Sequence, residues 1–477
     1  MSPKRKLIKI LLFVILIAAA GWAVKFFWQS KINLGPAASE KSDNGLSQIF
    51  KNTSELKEAV SLMPNFLGYD KPRTYLVLFL NNAEIRPGGG FIGSYALVKI
   101  DKGRLAFFAT SGSENLDWAA SDDFKVEPPE ALKKYLYLTN WYFRDANWSP
   151  DFPESSRAAL WFYRFEGGQD GSKIDGVIGL TPRVVEELAK ITGPVTVANK
   201  VFNAENIIDE LQYQVEVGFL KDDTPRAERK ELVGDLGREL LKKVADLPPW
   251  KWAGIYSMAQ KMFGEKQLMI WSANDAMEAA LVKQGWAGEI KKVAGDFLMV
   301  VDANLSALKT DPKVDRFIRY EIKPEGARLK ARATIAYNHH GQFDWKTTRY
   351  RTYTRVYVPF GSELISSSGF VENDKIKSKG KIEPVPAKVT EELGQTVFGG
   401  FIAVEPGEKE TLILEYYLPE KIVQQAARGL YTLFVQKQLG SAAYKLTVEA
   451  NFGKKDGQGN LRAETDLRED RSFDSSF

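Results

Sequence analysis

Ile10–Val24 reads ILLFVILIAAAGWAV, fifteen residues without a charge. No other feature restricts the chain as strongly, because a segment this apolar has to be covered by protein or by lipid. Leu7 and Ile8 precede it, and Phe26, Phe27 and Trp28 follow Lys25. The whole stretch is then about 20 mostly apolar residues, the length a bilayer requires. Lys4, Arg5, Lys6 and Lys9 lie on its amino side, which the positive-inside rule assigns to the cytoplasm. Trp22, Phe26, Phe27 and Trp28 fall where an interfacial aromatic belt sits. These features predict one uncleaved transmembrane helix, a single-pass cell-membrane location and an extracytoplasmic bulk. A cleaved signal peptide is the rival reading, since Ala18-Ala19-Ala20 offers small residues for cleavage. A buried soluble helix is the third.

Composition narrows the chemistry. Cysteine is absent, which removes disulfides, thiolate nucleophiles and cysteine-ligated metals together. His339 and His340 are the sole histidines, so any Ser-His-Asp machinery would run through that pair. A net charge of +4 over 477 residues gives no basic field for a nucleic-acid partner. An apolar share of 44% is ample for packed cores.

Residues 1–30 read as a basic tip and anchor, and 31–69 as a linker with a juxtamembrane helix over 47–63. Residues 70–295 carry the signals of an α/β domain. Tyr75–Leu80 is an unbroken apolar run suited to a strand buried on both faces. Ser94–Ile100 and Leu105–Thr110 follow as strands around the turn Asp101-Lys102-Gly103. Helices are expected over 130–138, 154–165, 181–190, 204–213, 226–244, 251–262 and 273–284, with a short strand at Gly176–Leu180. From 296 to 452 the pattern changes to seven short alternating runs, beginning at Phe317, Arg328, Tyr350, Val397, Thr411, Tyr431 and Tyr444. They indicate an antiparallel β-sandwich. The tail 453–477 lacks an apolar pattern and reads as disordered. The expected fold class is an α/β (α+β) extracytoplasmic domain followed by an antiparallel β-sandwich, behind a single N-terminal transmembrane helix.

Two loops carry candidate chemistry. Asn81-Asn82-Ala83-Glu84-Ile85-Arg86-Pro87-Gly88-Gly89-Gly90 sets amides, a carboxylate and a guanidinium directly after a buried strand. Such a loop can offer backbone N–H groups and Arg86 to an anion. It equally suits a polar turn in which the asparagines bond to backbone and the glycines permit positive φ. It is not a dinucleotide loop, because the glycines lead into a strand rather than a helix. The second loop, Arg144–Pro153, holds Asp145, Asn147 and Asp151, three hard oxygen donors suited to a divalent cation. The same residues suit an Asx-turn network and a helix N-cap. Arg226 and Arg229 share one face of the expected helix at i, i+3 spacing. They read as a solvated surface or, facing the glycine loop, as phosphate ligands. His339-His340 read as a loop.

The stretches NNAEIRPGGGFIGSYALVKIDKGRL, DANWSPDFPESS and DGVIGLTPRVVEELAKITGPVTV closely resemble the bacterial domain-of-unknown-function family numbered 4012. RTYTRVYVPFGSEL and GGFIAVEPGEKETLILEYYLP resemble that family's carboxy-terminal part. The resemblance covers most of residues 70–450 and implies a membrane-anchored, exported bacterial protein. A second likeness, in the order of parts, is to the LytR-CpsA-Psr transferases, which move undecaprenyl-pyrophosphate-linked glycopolymers onto the cell wall. Their Arg-Ser-Asp-Thr and Pro-Arg-Asp signatures do not occur here. That likeness implies a magnesium-dependent phosphotransferase. Arg86 and Arg229 would neutralise a pyrophosphate, and Asp145 or Asp151 would hold the metal. The expected partners are the bilayer and a polyprenyl-pyrophosphate glycan or cell-wall polymer. The expectation of another class is a non-catalytic surface scaffold or adhesion module, in which the glycine/arginine loop is architecture.

Overall fold

A computed structural model describes residues 64–221, 225, 228–452 and 460–476. The expected anchor, linker and juxtamembrane helix, and Arg226, lie outside the described residues. Among the described residues no helix is long and apolar enough to cross a membrane. The chain forms two compact units, neither continuous in sequence. Among the described residues, the first holds 64–79, Ile92–Ser121 and Leu160–Gly288. The second holds Leu80–Phe91, Asp122–Ala159 and the residues from Glu289 onward. A single boundary at 295/296 therefore does not describe the division, because 80–91 and 122–159 group with the later strands.

The first unit is a mixed α/β arrangement. Its strands are Arg73–Asn81 (β1), Phe91–Asp101 (β2), Arg104–Gly112 (β3), Gly176–Leu180 (β4) and Leu268–Ser272 (β7), with Val195–Val197 (β5) and Lys200–Phe202 (β6) as a small separate hairpin. The sheet order is β3-β2-β1-β4-β7. β1 and β4 run parallel and β4 and β7 antiparallel. β4 and β7 are buried throughout, as their unbroken apolar runs require. Lys102 and Gly103, both at positive φ, form the two-residue turn between β2 and β3. Helices Pro182–Thr192, Glu231–Ala245 and Trp252–Gly264 send Leu188, Leu240 and Met262 into one core with Val77, Val98 and Ile270. β7 was not legible as a strand: LMIWS is short and stands between two helices. Lys266, at φ 52°, turns the chain into it. The helix expected from Arg226 begins at Glu231, so Arg229 stands in the turn before it.

The second unit is built on two six-stranded sheets. Its strands are Asp296–Asn304 (β8), Val314–Glu325 (β9), Arg328–His339 (β10), Tyr350–Pro359 (β11), Glu363–Ser368 (β12), Lys388–Glu392 (β13), Gln395–Val404 (β14), Lys409–Tyr417 (β15), Leu430–Gln436 (β16), Tyr444–Ala450 (β17), Leu461–Leu467 (β18) and Arg471–Ser476 (β19). One sheet runs β12-β15-β10-β9-β17-β18 and the other β13-β14-β11-β8-β16-β19. β9 alternates buried and exposed side chains along most of its length, the signature of a sheet with one wet face. β8 is buried at every position. Leu298, Val356 and Phe398 of one sheet share a core with Ile318, Ile335 and Leu414 of the other.

All seven expected strands form. Two pairings depart from the wholly antiparallel expectation: β16 runs parallel to β8, and β17 parallel to β9. The tail expected to be disordered is also corrected. Residues 461–467 and 471–476 form edge strands β18 and β19, antiparallel to β17 and β16. Edge strands have one neighbour and little buried surface, so a polar sequence such as LRAETDL forms one without an apolar pattern. His339 ends β10 and is fully buried, its Nε2 2.8 Å from the Thr348 carbonyl, rather than lying in a loop.

Candidate functional site

The two loops singled out in the sequence meet in the second unit, and they close on each other. The first, between β1 and β2, folds back on itself. Asn81 Oδ1 accepts from the Ala83 N–H at 3.2 Å, the Glu84 carbonyl accepts from Phe91 at 2.9 Å, and the Arg86 carbonyl accepts from Gly89 at 3.0 Å. Asn82 Nδ2 donates to the Gly440 carbonyl at 2.9 Å. Gly88 N–H donates to the Asn147 carbonyl at 3.0 Å, and Asn147 Nδ2 donates to the Gly90 carbonyl at 2.7 Å. Glycine is required at 88 by this contact: a Cβ there would lie 2.7 Å from the Asn147 Cβ.

Arg86 sits at the centre and is only 3% exposed. All three of its nitrogens donate inward: Nε to Asp145 at 3.2 Å, one terminal nitrogen to Glu84 at 3.2 Å, and the other to the Asn304 carbonyl. The guanidinium also lies 5.2 Å from the Phe91 ring centre. Burial lowers the tendency of Arg86 to stay charged, but the Glu84 and Asp145 carboxylates outweigh it and hold the cation more firmly than usual. Burial raises the Glu84 carboxyl above its ordinary range, and Arg86 and Lys309 offset part of that rise. From Asn304 the network continues. Its Nδ2 donates to Asp311 at 2.7 Å, and Asp311 and Asp302 both bind Arg316, at 2.6 and 2.7 Å. Tyr337 and Thr354 donate to Asp302 at 2.9 and 2.6 Å.

The cation-site reading of Asp145, Asn147 and Asp151 is not supported by this geometry. Asp145 pairs with Arg86, and Asn147 clamps the glycine loop. Asp151 caps the helix Phe152–Phe165, accepting from Glu154 at 3.0 Å, and also accepts from Ile290 at 2.9 Å. Burial raises its carboxyl, against those two backbone donors. Among the described residues no group of three or more His, Cys, Asp or Glu side chains is placed to hold a metal ion. The carboxylates of Asp145 and Asp151 are thus committed to different internal partners, while the Asn147 Oδ1 has no hydrogen-bond partner among the described residues. Arg229 belongs to the first unit, where it binds Glu114 at 3.1 Å and Glu216 at 3.2 Å. Lys230 beside it also binds Glu114, and burial lowers the lysine's pKa despite that carboxylate.

Asn304, Asp311, Arg316 and Gln438 complete the Arg86 network, and the sequence reading did not single them out. Gln438 Nε2 bridges the Arg86 and Asp302 carbonyls at 3.3 and 2.7 Å. The available signal was DFLMVVDAN, where acids and an amide interrupt a run otherwise apolar enough to be fully buried.

Residues 70–215 match the model of a family described as Protein of unknown function (DUF4012). That segment is similar to the DUF4012 family. It contains both loops, Asp175–Val197 and β1 to β4, and it ends before Arg226 and Arg229. The resemblance read along residues 70–450 is thus matched as far as 215, and the likeness to LytR-CpsA-Psr transferases gains no support. A comparison with curated proteins finds no match.

Among solved structures, this chain is similar to a nutrient-binding protein of Legionella pneumophila named as putative. The identity is 8% and the TM-score 0.20, covering 33% of this chain and 54% of that one. Leukotriene A4 hydrolase of Saccharomyces cerevisiae matches at 10% identity and TM-score 0.18, covering 32% and 27% of the two chains. An M1 zinc metallopeptidase of Deinococcus radiodurans matches at 14% identity and TM-score 0.16, covering 29% and 32%. This chain therefore spans about half the length of the first and between a quarter and a third of the others, and likenesses at these scores carry no argument about function.

Proposed function

We propose that this protein is a membrane-anchored, extracytoplasmic scaffold or adhesion module of the cell envelope, in which the glycine/arginine loop is architecture. The observation that carries this reading is the internal pairing of Arg86: each guanidinium nitrogen already donates to an acceptor of its own unit. An anion would have to displace the Glu84 and Asp145 carboxylates that neutralise the cation, and a carboxylate left buried without its partner costs about 3–5 kcal/mol. Arg229 is likewise occupied by Glu114 and Glu216. The envelope location rests on the apolar leader and its four preceding cations.

Two measurements on the full chain test it. Protease added to intact cells should digest the portion beyond residue 64; a protected or freely cytosolic chain would overturn the location. Polyprenyl pyrophosphate, with and without magnesium, should show no binding that depends on Arg86. Binding abolished by Arg86→Lys in a folded protein would restore the phosphotransfer reading.

A further inference from the structure

The geometry points to a second site in the two-sheet unit: a cleft that takes a neutral saccharide segment. It rests on the envelope reading, since glycan polymers are met outside the cytoplasm. The cleft has a volume of about 300 Å³, at the lower end of small-molecule sites. Its floor is written in the strand register. On β14, Gly399 pairs with Arg355 of β11 on one side and Lys388 of β13 on the other. The missing side chain leaves a gap between two cationic residues. A Cβ there would lie 3.2 Å from the Tyr353 hydroxyl, so any larger residue narrows the gap. Two positions along the same face, Tyr353 pairs with Phe401.

Aromatic rings supply the walls. Tyr135 stacks on Phe401 at 4.2 Å with the planes 9° apart. Trp148 and Tyr353 are 6.4 Å apart, line the cleft and remain partly exposed. A pyranose presents an apolar C–H face that packs on such rings, while its hydroxyls demand donors and acceptors together.

The charges meet that second demand. Three cations and three carboxylates line the cleft, and they pair off: Lys134 with Glu372 at 2.6 Å, Arg355 with Glu392 at 2.7 Å, and Lys388 with Glu130. No net charge remains to attract an anion, and a pyrophosphate would confront every one of the carboxylates. Each pair instead sets a donor beside an acceptor, the arrangement a hydroxyl uses in both directions. Arg355 is 4% exposed, and among the described residues its Nε has no hydrogen-bond partner. Its two terminal nitrogens are taken by Glu392 and the Trp148 carbonyl, and the Nε is itself enclosed by protein. The competing occupant is a peptide strand, because β13 is the edge of its sheet. The aromatic walls and the glycine gap lie on the sheet's face rather than along that edge, which favours the saccharide.

The test titrates the full chain in detergent with chitotriose and cellotriose, with trigalacturonate as the anionic arm and a strand-forming peptide as the fourth. Saturable binding of a neutral trisaccharide is expected. Trp148→Ala should weaken it about tenfold, Trp148→Tyr should largely retain it, and Lys388→Ala should weaken it about threefold. Gly399→Val should weaken it as Trp148→Ala does, with unfolding temperatures recorded for every variant. The cleft is overturned by the absence of neutral-saccharide binding, by binding indifferent to Trp148→Ala and Lys388→Ala in folded protein, or by preference for trigalacturonate or the peptide. Failure here with the chain digested on intact cells removes the cleft alone. Saccharide binding by a chain found in the cytosol removes the envelope reading alone.

Discussion

Arg86 and Arg355 are both buried arginines of the two-sheet unit, 3% and 4% exposed, yet their surroundings differ in kind. Arg86 donates from every nitrogen, and its partners Glu84 and Asp145 keep only 19% and 5% of their side chains exposed. Arg355 bonds Glu392, whose side chain is 33% exposed, and the Trp148 carbonyl, and it lines the cleft. The difference teaches that burial of a charge does not mark function. The exposure of its partners does, because a closed network fixes the fold while a pair at the edge of a cleft can exchange partners.

The largest expected effect breaks the closed network. Arg86→Met leaves Glu84 and Asp145 without their cation, and removing one partner of a buried pair typically costs about 3–5 kcal/mol. Denaturant unfolding of the full chain should show this loss in the two-sheet unit. Arg86→Met combined with Asp145→Leu should recover part of it. A single-variant loss below about 1 kcal/mol would show the network to be as soft as a surface pair. Arg355→Met should cost less, about 1–2 kcal/mol, because Glu392 can hydrate once released.

A buried carboxylate held by hydroxyl and backbone donors, with no cation paired to it among the described residues, sharpens the same comparison. Asp296 is fully buried and accepts from Tyr320 at 2.8 Å, Tyr431 at 2.5 Å and the Phe297 N–H at 2.7 Å. Burial raises its pKa from 3.8 to about 6, and those three donors hold the rise in check. The folded state therefore binds this proton more tightly than the unfolded chain. Stability should be highest below about pH 4, fall as pH rises through about 6, and then level off, a total near 3 kcal/mol. Asp296→Asn should flatten that slope in unfolding measured from pH 4 to 7. An unchanged slope would assign it to other groups.

The sequence disclosed the strands whose side chains alternate, such as β9 and β10, because one face of each is wet. It did not disclose β12, β13, β18 or β19. ELISSS and KVTEE are edge strands with mostly exposed side chains, so their pairing is dictated by the neighbour rather than by their own composition. The loop at Arg86 was legible as a polar, glycine-rich turn. Its closure was not, because the acceptors come from Asp145 and Asn304, far along the chain. The cleft was less legible still. It is assembled from residues near 130, 148, 355, 390 and 400, and no local spacing joins them. The signal in the sequence is Gly399-Gly400 inside a strand otherwise rich in large apolar residues, a pattern that marks a close approach or a gap.

The smallest expected effect separates the cleft's rim from its frame. Lys388 and Glu130 join β13 to the helix Glu130–Leu136, with side chains 54% and 73% exposed. The carboxylate raises the lysine's pKa and the lysine lowers that of the carboxyl, through their hydrogen bond before their charges, with burial opposing in both. Water screens such a pair, so Lys388→Ala should change stability by no more than about 0.5 kcal/mol. If the rim serves a ligand, that same substitution should be far more visible in saccharide binding than in unfolding. A stability loss as large as that of Arg86→Met would make Lys388 part of the frame, and the contrast between the closed arginine and the one at the cleft would lose its second member.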